Sequence, residues 1–244
     1  MSTINQYARS YIEENSKLIS QNWQATIQSL TLTHLLEKIN PYLLLIQPNK
    51  CIPTIVGELI DQVLLSSEEI IVCKGLDGLA IFINQKVFGG WRSKITGIDL
   101  EFDHEGTRYI VTIKSGPNWG NGSQIAKMKA DFISAKKTLQ TSNHKLNITA
   151  VNGCCYGQDE TPDKGDYYKY CGQRFWTLIS GEETLYTDIV EPLGNAARQR
   201  NLKFVESYAK IKNRFVLEFG QRFCSKDGSI DWMKLVKFNS GNCE

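Results

Sequence analysis

Apolar residues near the N-terminus recur at helical intervals. Tyr7, Ile12, Leu18, Ile19, Trp23, Ile27 and Leu30 fall close to one face of a helix. Pro41, Pro48 and Pro53 then punctuate a connecting stretch. Ile55, Val56, Leu59, Ile60, Val63 and Leu64 share one side of a second predicted helix. Ser66 and Glu69 stand at capping-box spacing and predict another short helix opening there. The first third of the chain is therefore expected to be helical.

In the middle the period changes to two. Ile98, Leu100 and Phe102 alternate with Asp99, Glu101 and Asp103, and Tyr109, Val111 and Ile113 alternate with Arg108, Ile110, Thr112 and Lys114. These are two strands joined at His104-Glu105-Gly106. A loop with three glycines and a proline, residues 115–122, follows. Ser123 is placed to cap the next helix, whose apolar stripe is Ile125, Met128, Phe132, Ala135 and Leu139. Residues 145–151 read as another strand, which a right-handed crossover through that helix makes parallel to its neighbour. Beyond residue 152 come a loop-rich aromatic segment and helical stretches. The expectation is an α/β fold with a central mixed sheet flanked by helices. It forms a single domain over residues 1–244, with a helical N-terminal region (1–80), a catalytic core (81–152) and a C-terminal region for recognition and further helices (153–244).

Composition adds limits. A chain of 244 residues with 41% hydrophobic residues can bury a sizeable core. No run of about 18 apolar residues spans a membrane, and the first residues lack the apolar core of a secretion signal. Seven scattered cysteines fit reduced thiols and a cytoplasmic location. Cys154, Cys155 and Cys171 have poor spacing for zinc, with no histidine close by. A net charge of +2 neither favours nor excludes nucleic acid.

The hairpin carries the candidate chemistry. A two- or four-residue loop puts Glu101 opposite Ile110 and Asp99 opposite Thr112, so Asp99, Glu101, Thr112 and Lys114 share one face. Ile98, Leu100, Phe102, Tyr109, Val111 and Ile113 then face the core, whereas a three-residue loop would destroy the grouping. A carboxylate beside a lysine suits phosphodiester hydrolysis. The carboxylate binds Mg²⁺, the lysine orients water and stabilises developing charge, and the carbonyl of Ile113 offers another hard oxygen.

The run GIDLEF, a short turn, then YIVTIKSGPNWGN resembles the active-site hairpin of PD-(D/E)xK nucleases. The stretch from Ser66 to Trp232, through SSEE, GIDLEF, IKSGPNWGNGSQ, NGCCYG, YCGQRFWTLISG, LYTDIVEPLG and DGSIDW, resembles the PmeII-like type II restriction endonucleases. The resemblance implies a restriction-endonuclease-like core. It also implies Mg²⁺-dependent cleavage of double-stranded DNA at a short palindromic site, a homodimer, and a cognate DNA methyltransferase in the same system. Asp99 and Lys114 take the catalytic positions, with Asp99 and Ile113 at the metal. Two departures stand out: Ile98 replaces the proline, and Thr112 occupies the position of the second acid. The missing acid is sought first at Glu69, since relatives place a glutamate on the helix beside the hairpin. Glu101 comes second, and Asp131 is expected to lie too far along its helix. Asn118, Trp119, Asn121, Ser123 and Gln124 suit DNA contacts near the lysine. Lys169, Gln173 and Arg174 suit a recognition arm between Gln158 and Trp176. Two competing functions share this core: a repair or mismatch nicking nuclease, and a DNA-binding relative that has lost the chemistry.

Overall fold

A computed structural model describes residues 2–47, 51–142, 144–198 and 202–241. In chain order the elements are α1 (Thr3–Ser29), α2 (Leu32–Glu37), α3 (Pro41–Ile46), α4 (Ile52–Phe88), β1 (Trp91–Arg92), β2 (Leu100–His104) and β3 (Thr107–Lys114). They continue as α5 (Gly122–Ser142), β4 (Asn147–Cys154), β5 (Tyr168–Cys171), α6 (Gln173–Ser180), α7 (Leu185–Asp188), α8 (Val190–Arg198), α9 (Leu202–Phe223) and α10 (Trp232–Ser240).

The β2–β3 hairpin closes through Glu105-Gly106, whose φ angles are 48° and 73°. Positive φ at both positions is the geometry of a two-residue turn that follows the twist of the strands. The turn fixes the register as expected, with Glu101 opposite Ile110 and Phe102 opposite Tyr109. The strands lie in the order β1-β2-β3-β4-β5. β1 and β2 pair antiparallel to their next neighbours, whereas β3–β4 and β4–β5 are parallel. This mixed sheet flanked by helices is the α/β class expected. β5 departs from the expectation: its YKYC run sits inside the polar aromatic segment read as a loop, and only four residues long it shows too little alternation to stand out.

The helices divide the chain into two compact units, one of residues 1–16 with 72–198 and one of 17–71 with 199–244. The first holds the sheet. On one sheet face Leu100, Phe102, Val111 and Ile113 pack with Leu79, Ala80 and Ile83 of α4. On the other, Ile110 and Ala150 pack with Met128, Phe132 and Ala135 of α5. The hairpin is thus covered on both sides, which the alternating pattern alone does not reveal. The second unit is helical, around Ile27, Leu36, Ile55, Ile60, Phe215 and Phe219. Among the described residues no helix is long and apolar enough to cross a membrane.

Several local expectations are corrected. No helix opens at Ser66, because α4 runs unbroken from Ile52 to Phe88 and the Ser66 hydroxyl donates to the Gln62 carbonyl one turn back. Pro41 is the first residue of α3 under an Asn40 cap, and Pro53 lies in the first turn of α4, where a missing N–H costs nothing. Pro48 lies outside the described residues. The cap of α5 is Asn121, not Ser123: Asn121 Oδ1 accepts from the Gln124 N–H and Gln124 Oε1 accepts from the Asn121 N–H. Ile98 packs on the α5 side with Ile110 rather than with Leu100. The ladder ends at Leu100, and the Asp99 N–H donates to Val111 O, one residue out of register, so the alternation does not carry through.

Candidate active site

Asp99 sits just before β2, at the open end of the hairpin. Its Oδ2 accepts from the Ile113 N–H at 2.7 Å and from the Thr112 hydroxyl at 3.2 Å. Thr112, where the resemblance calls for an acid, is therefore a donor that holds the aspartate in place. The Ile113 N–H points at Asp99, and since the N–H and C=O of one strand residue face the same edge, its carbonyl lies on that side too. Lys114 ends β3, with Nζ 5.0 Å from the centre of the Trp119 ring. Its carbonyl accepts the Cys155 N–H, which ties the end of β3 to the end of β4.

Asp77 of α4 completes the cluster. Burial pushes its carboxyl up to about 6, the neighbouring Asp99 charge adds to the rise, and Lys114 and Arg92 pull the other way. Its Oδ1 is buried without a hydrogen-bond partner. An unpaired buried carboxylate oxygen is costly and calls for a cation or a proton. Sequence reasoning misses this residue. A signal is present, since Asp77 is the one ionisable side chain in the otherwise apolar run Leu76–Ile83, but the expected helix start at Ser66 draws attention to Glu69 instead.

The other candidate acids are placed differently. Glu69 lies eight residues earlier on α4, about 12 Å along the axis from Asp77, and its side chain lies outside the described residues. Glu101 is 4% exposed and already partnered, accepting from Ser93 Oγ at 2.8 Å and pairing with Arg108 at 3.4 Å. Asp131 is nearer than expected. It abuts Gly97 and lines a cleft of about 240 Å³ with Thr112, Lys114 and Trp119, because the loop 115–121 folds α5 back along the hairpin. There it pairs with Lys127 at 2.9 Å. Among the described residues no group of three or more His, Cys, Asp or Glu side chains gathers as a metal site. A hard cation here would draw on two carboxylates, main-chain oxygen and solvent, and the orphan oxygen of Asp77 fits that role.

The residues expected at DNA divide. Asn118 is exposed and Trp119 half-buried over Lys114. Asn121, Ser123 and Gln124 bond to one another at the start of α5. Lys169 donates to the Pro117 carbonyl at 3.0 Å and pairs with Asp159 at 3.3 Å, so it pins one loop to another. Gln173 donates to the Glu183 carbonyl. Arg174 is exposed and, among the described residues, makes no hydrogen bond or ion pair.

With this geometry in view, the family model described as type II restriction endonuclease EcoO109I matches the chain over residues 6–201. No curated protein matches it.

Proposed function

We propose, for a chain that belongs to the type II restriction endonuclease EcoO109I family, a Mg²⁺-dependent hydrolysis of phosphodiester bonds in double-stranded DNA by a PD-(D/E)xK-type site. Family membership supports a DNA-cleaving restriction enzyme, and the arrangement around Asp99 supports the finer reading. The observation that carries it is the meeting of Asp77, Asp99 and Lys114 at the open end of the hairpin, with one buried Asp77 oxygen unpartnered.

Asp77 and Asp99, with the Ile113 carbonyl, are the groups that would hold Mg²⁺. When bound, Mg²⁺ supplies charge neutralisation at the phosphate and acidifies water. Asp77 takes the role expected of Glu69, and the bonds Glu101 already makes to Ser93 and Arg108 weigh against a metal role for it. Thr112 and the Ile113 N–H fix the Asp99 carboxylate so that one face stays open. Lys114, kept from solvent on one side by Trp119, orients the attacking water and stabilises negative charge on the phosphate oxygens.

A short palindromic site is cut by two symmetric copies, and α3 offers apolar surface for self-association. Tyr42, Leu43, Leu45 and Ile46 are 48–75% exposed on that one helix. Light scattering at micromolar protein is expected to report a dimer. A cognate methyltransferase is expected beside a cutter of this kind, to protect the same sequence in the host. Incubation of phage DNA with the protein and Mg²⁺ tests the activity. Discrete double-strand fragments are expected, and EDTA abolishes them. Single-strand nicks would assign a repair-type nuclease instead, and binding without any cleavage would reduce the protein to a DNA-binding relative.

A further inference from the structure

A second cleft opens at the same end of the sheet as the hydrolytic site. It measures about 670 Å³ and is lined in part by Tyr156, Gln158, Glu160, Gln173, Arg174 and Tyr186. It lies where the parallel strands β4 and β5 end, the usual side for ligands in such sheets. Its floor is tied to the catalytic strand. The Cys155 N–H bonds the Lys114 carbonyl, the Tyr156 N–H bonds the Ser115 carbonyl, and Trp176 Nε1 bonds the Cys155 carbonyl at 2.9 Å. Leu76, the neighbour of Asp77, also lines it. A molecule in this cleft is therefore held in fixed relation to Asp77 and Lys114.

The rim is built and not loose. Gly172 takes φ +54°, and a Cβ there would meet the Gly157 carbonyl oxygen at 2.8 Å. Gly157 takes φ +93°, with Pro117 packed where its side chain would be. Only glycine permits both the conformation and the approach, so the two loops are cinched together. On that rim Tyr156 and Tyr186 are 56% and 40% exposed, so part of each ring is open to a ligand in the cleft. The polar groups are hydrogen-bonding ones with capacity to spare. Gln158 and Arg174 make no side-chain bond among the described residues, and the Gln173 amide oxygen stays available after its nitrogen bonds Glu183. Two tyrosine rings and amide, carboxylate and guanidinium groups lining one cleft match a nucleobase, which offers a π-face for stacking and a donor-acceptor edge. Asp159 and Glu160 on the same rim disfavour a bare phosphate.

We propose that this cleft receives a nucleobase of the substrate DNA, turned out of its stack beside the cleaved bond, and so contributes to sequence discrimination. This rests on the nuclease reading above. Stacking against tyrosine needs a free base face, which a base within the duplex does not have. Tyr156 and Tyr186 hold the face, while Gln158, Gln173, Glu160 and Arg174 address the edge.

The test separates binding from chemistry. Selection from a random duplex pool with Mg²⁺ omitted reports base preference even if nothing is cut, and the phage DNA assay reports hydrolysis independently. Wild-type protein is expected to select a defined sequence. 2-Aminopurine placed through that sequence should brighten at one position on binding. Gln158→Ala and Arg174→Ala should each lower discrimination at that position by roughly tenfold or more, and Tyr156→Ala and Tyr186→Ala should remove the fluorescence rise. No brightening at any position overturns the proposal. So does an unchanged preference in all four variants. Uniform weakening on every sequence, with a smaller salt dependence, would make Arg174 a backbone contact and also overturn it. Failure to cut despite base-specific binding would leave the cleft standing and sink the hydrolytic reading.

Discussion

The two ends of one hairpin hold two acidic clusters with opposite characters. Toward the turn, Glu101 and Asp103 share Arg108. The guanidinium donates to Asp103 at 2.6 and 2.9 Å and to Glu101 at 3.4 Å, and Ser93 supplies a further donor to Glu101. At the open end, Asp77 and Asp99 lie close enough to repel, and one oxygen of Asp77 is buried with nothing to bond. The first cluster is complete within the chain. The second is left open within the chain, to a proton or a cation. Side-chain atoms of Asn5, Arg9, Asn84 and Asn152 are also buried without partners, but Asp77 is the acid among them, with Asp99 and Lys114 as neighbours, and it is that combination that points to chemistry. Sequence alone does not separate Glu101 from Asp99, since both are acids on or beside the same strand, two residues apart.

The largest test of that contrast is removal of the open-end acids. Asp99→Ala and Asp77→Ala are each expected to reduce Mg²⁺-dependent cleavage by roughly 10³-fold or more, the scale of several kcal/mol of charge stabilisation at the phosphate. Specific DNA binding in EDTA should survive, because the β2–β3 ladder ends at Leu100 and uses neither carboxylate. Near-normal cutting by either variant would remove that residue from the site.

The next effect is on metal affinity. Asp77 must lose its proton to bind Mg²⁺, and its carboxyl titrates near 6. Below that pH one proton competes with the metal. The Mg²⁺ concentration for half-maximal cleavage should therefore rise about tenfold for each pH unit below ~6, and excess Mg²⁺ should restore the rate. A flat requirement between pH 5 and 7 would show that Asp77 is not the titrating ligand.

The complete cluster should respond in the opposite sense. Glu101→Gln keeps the shape but removes the charge that faces Arg108, so it is expected to cost about 1–3 kcal/mol of stability, with cleavage changed only a few-fold. Urea unfolding and initial rates on one preparation check both halves. A severe loss of rate with unchanged stability would return Glu101 to the metal.

How much of the fold and site is legible in the sequence follows from how local each signal is. The hairpin register is readable because a Glu-Gly turn and a strict two-residue period fix it between neighbours in sequence. The nearness of Asp99 to Thr112 is close to what that register implies, although the ladder itself stops at Leu100. Asp77 is not readable in the same way, because its role depends on which turn of a long helix meets the sheet, a tertiary fact. The Ser66–Glu69 spacing misleads for a related reason: a capping box works only where a helix begins, and here the helix has begun at Ile52. The cleft beside Tyr156 is half legible. Its aromatic and amide residues read as a recognition arm, but the strand β5 that folds them into a concave site is four residues long.

The smallest expected effect runs against intuition. Replacing the buried acid Asp77 should stabilise the metal-free protein. Asp77 has its carboxyl raised from 3.8 to about 6 in the folded chain, chiefly by burial and then by the Asp99 charge. At pH 3 the group is protonated folded and unfolded, and it favours neither state. As pH climbs through the interval from 3.8 to about 6, the unfolded chain gives up the proton first, so folding is progressively disfavoured, and above about 6 the whole penalty is present. Asp77→Asn removes the charge and keeps the shape. Above pH 7 in EDTA its Tm should exceed that of the wild type by roughly 2–4 °C, what about 1 kcal/mol does in a chain of this size; solvent reaching the carboxylate keeps the gain this modest. The difference should shrink to nothing toward pH 4. Mg²⁺ should raise the Tm of the wild type and leave the variant nearly unchanged, since binding stabilises only the state that holds the ion. Equal melting of the two proteins at pH 7.5 in EDTA, or equal responses to Mg²⁺, would mean that the open-end cluster carries no such strain and that the contrast between the two ends of the hairpin is not one of charge.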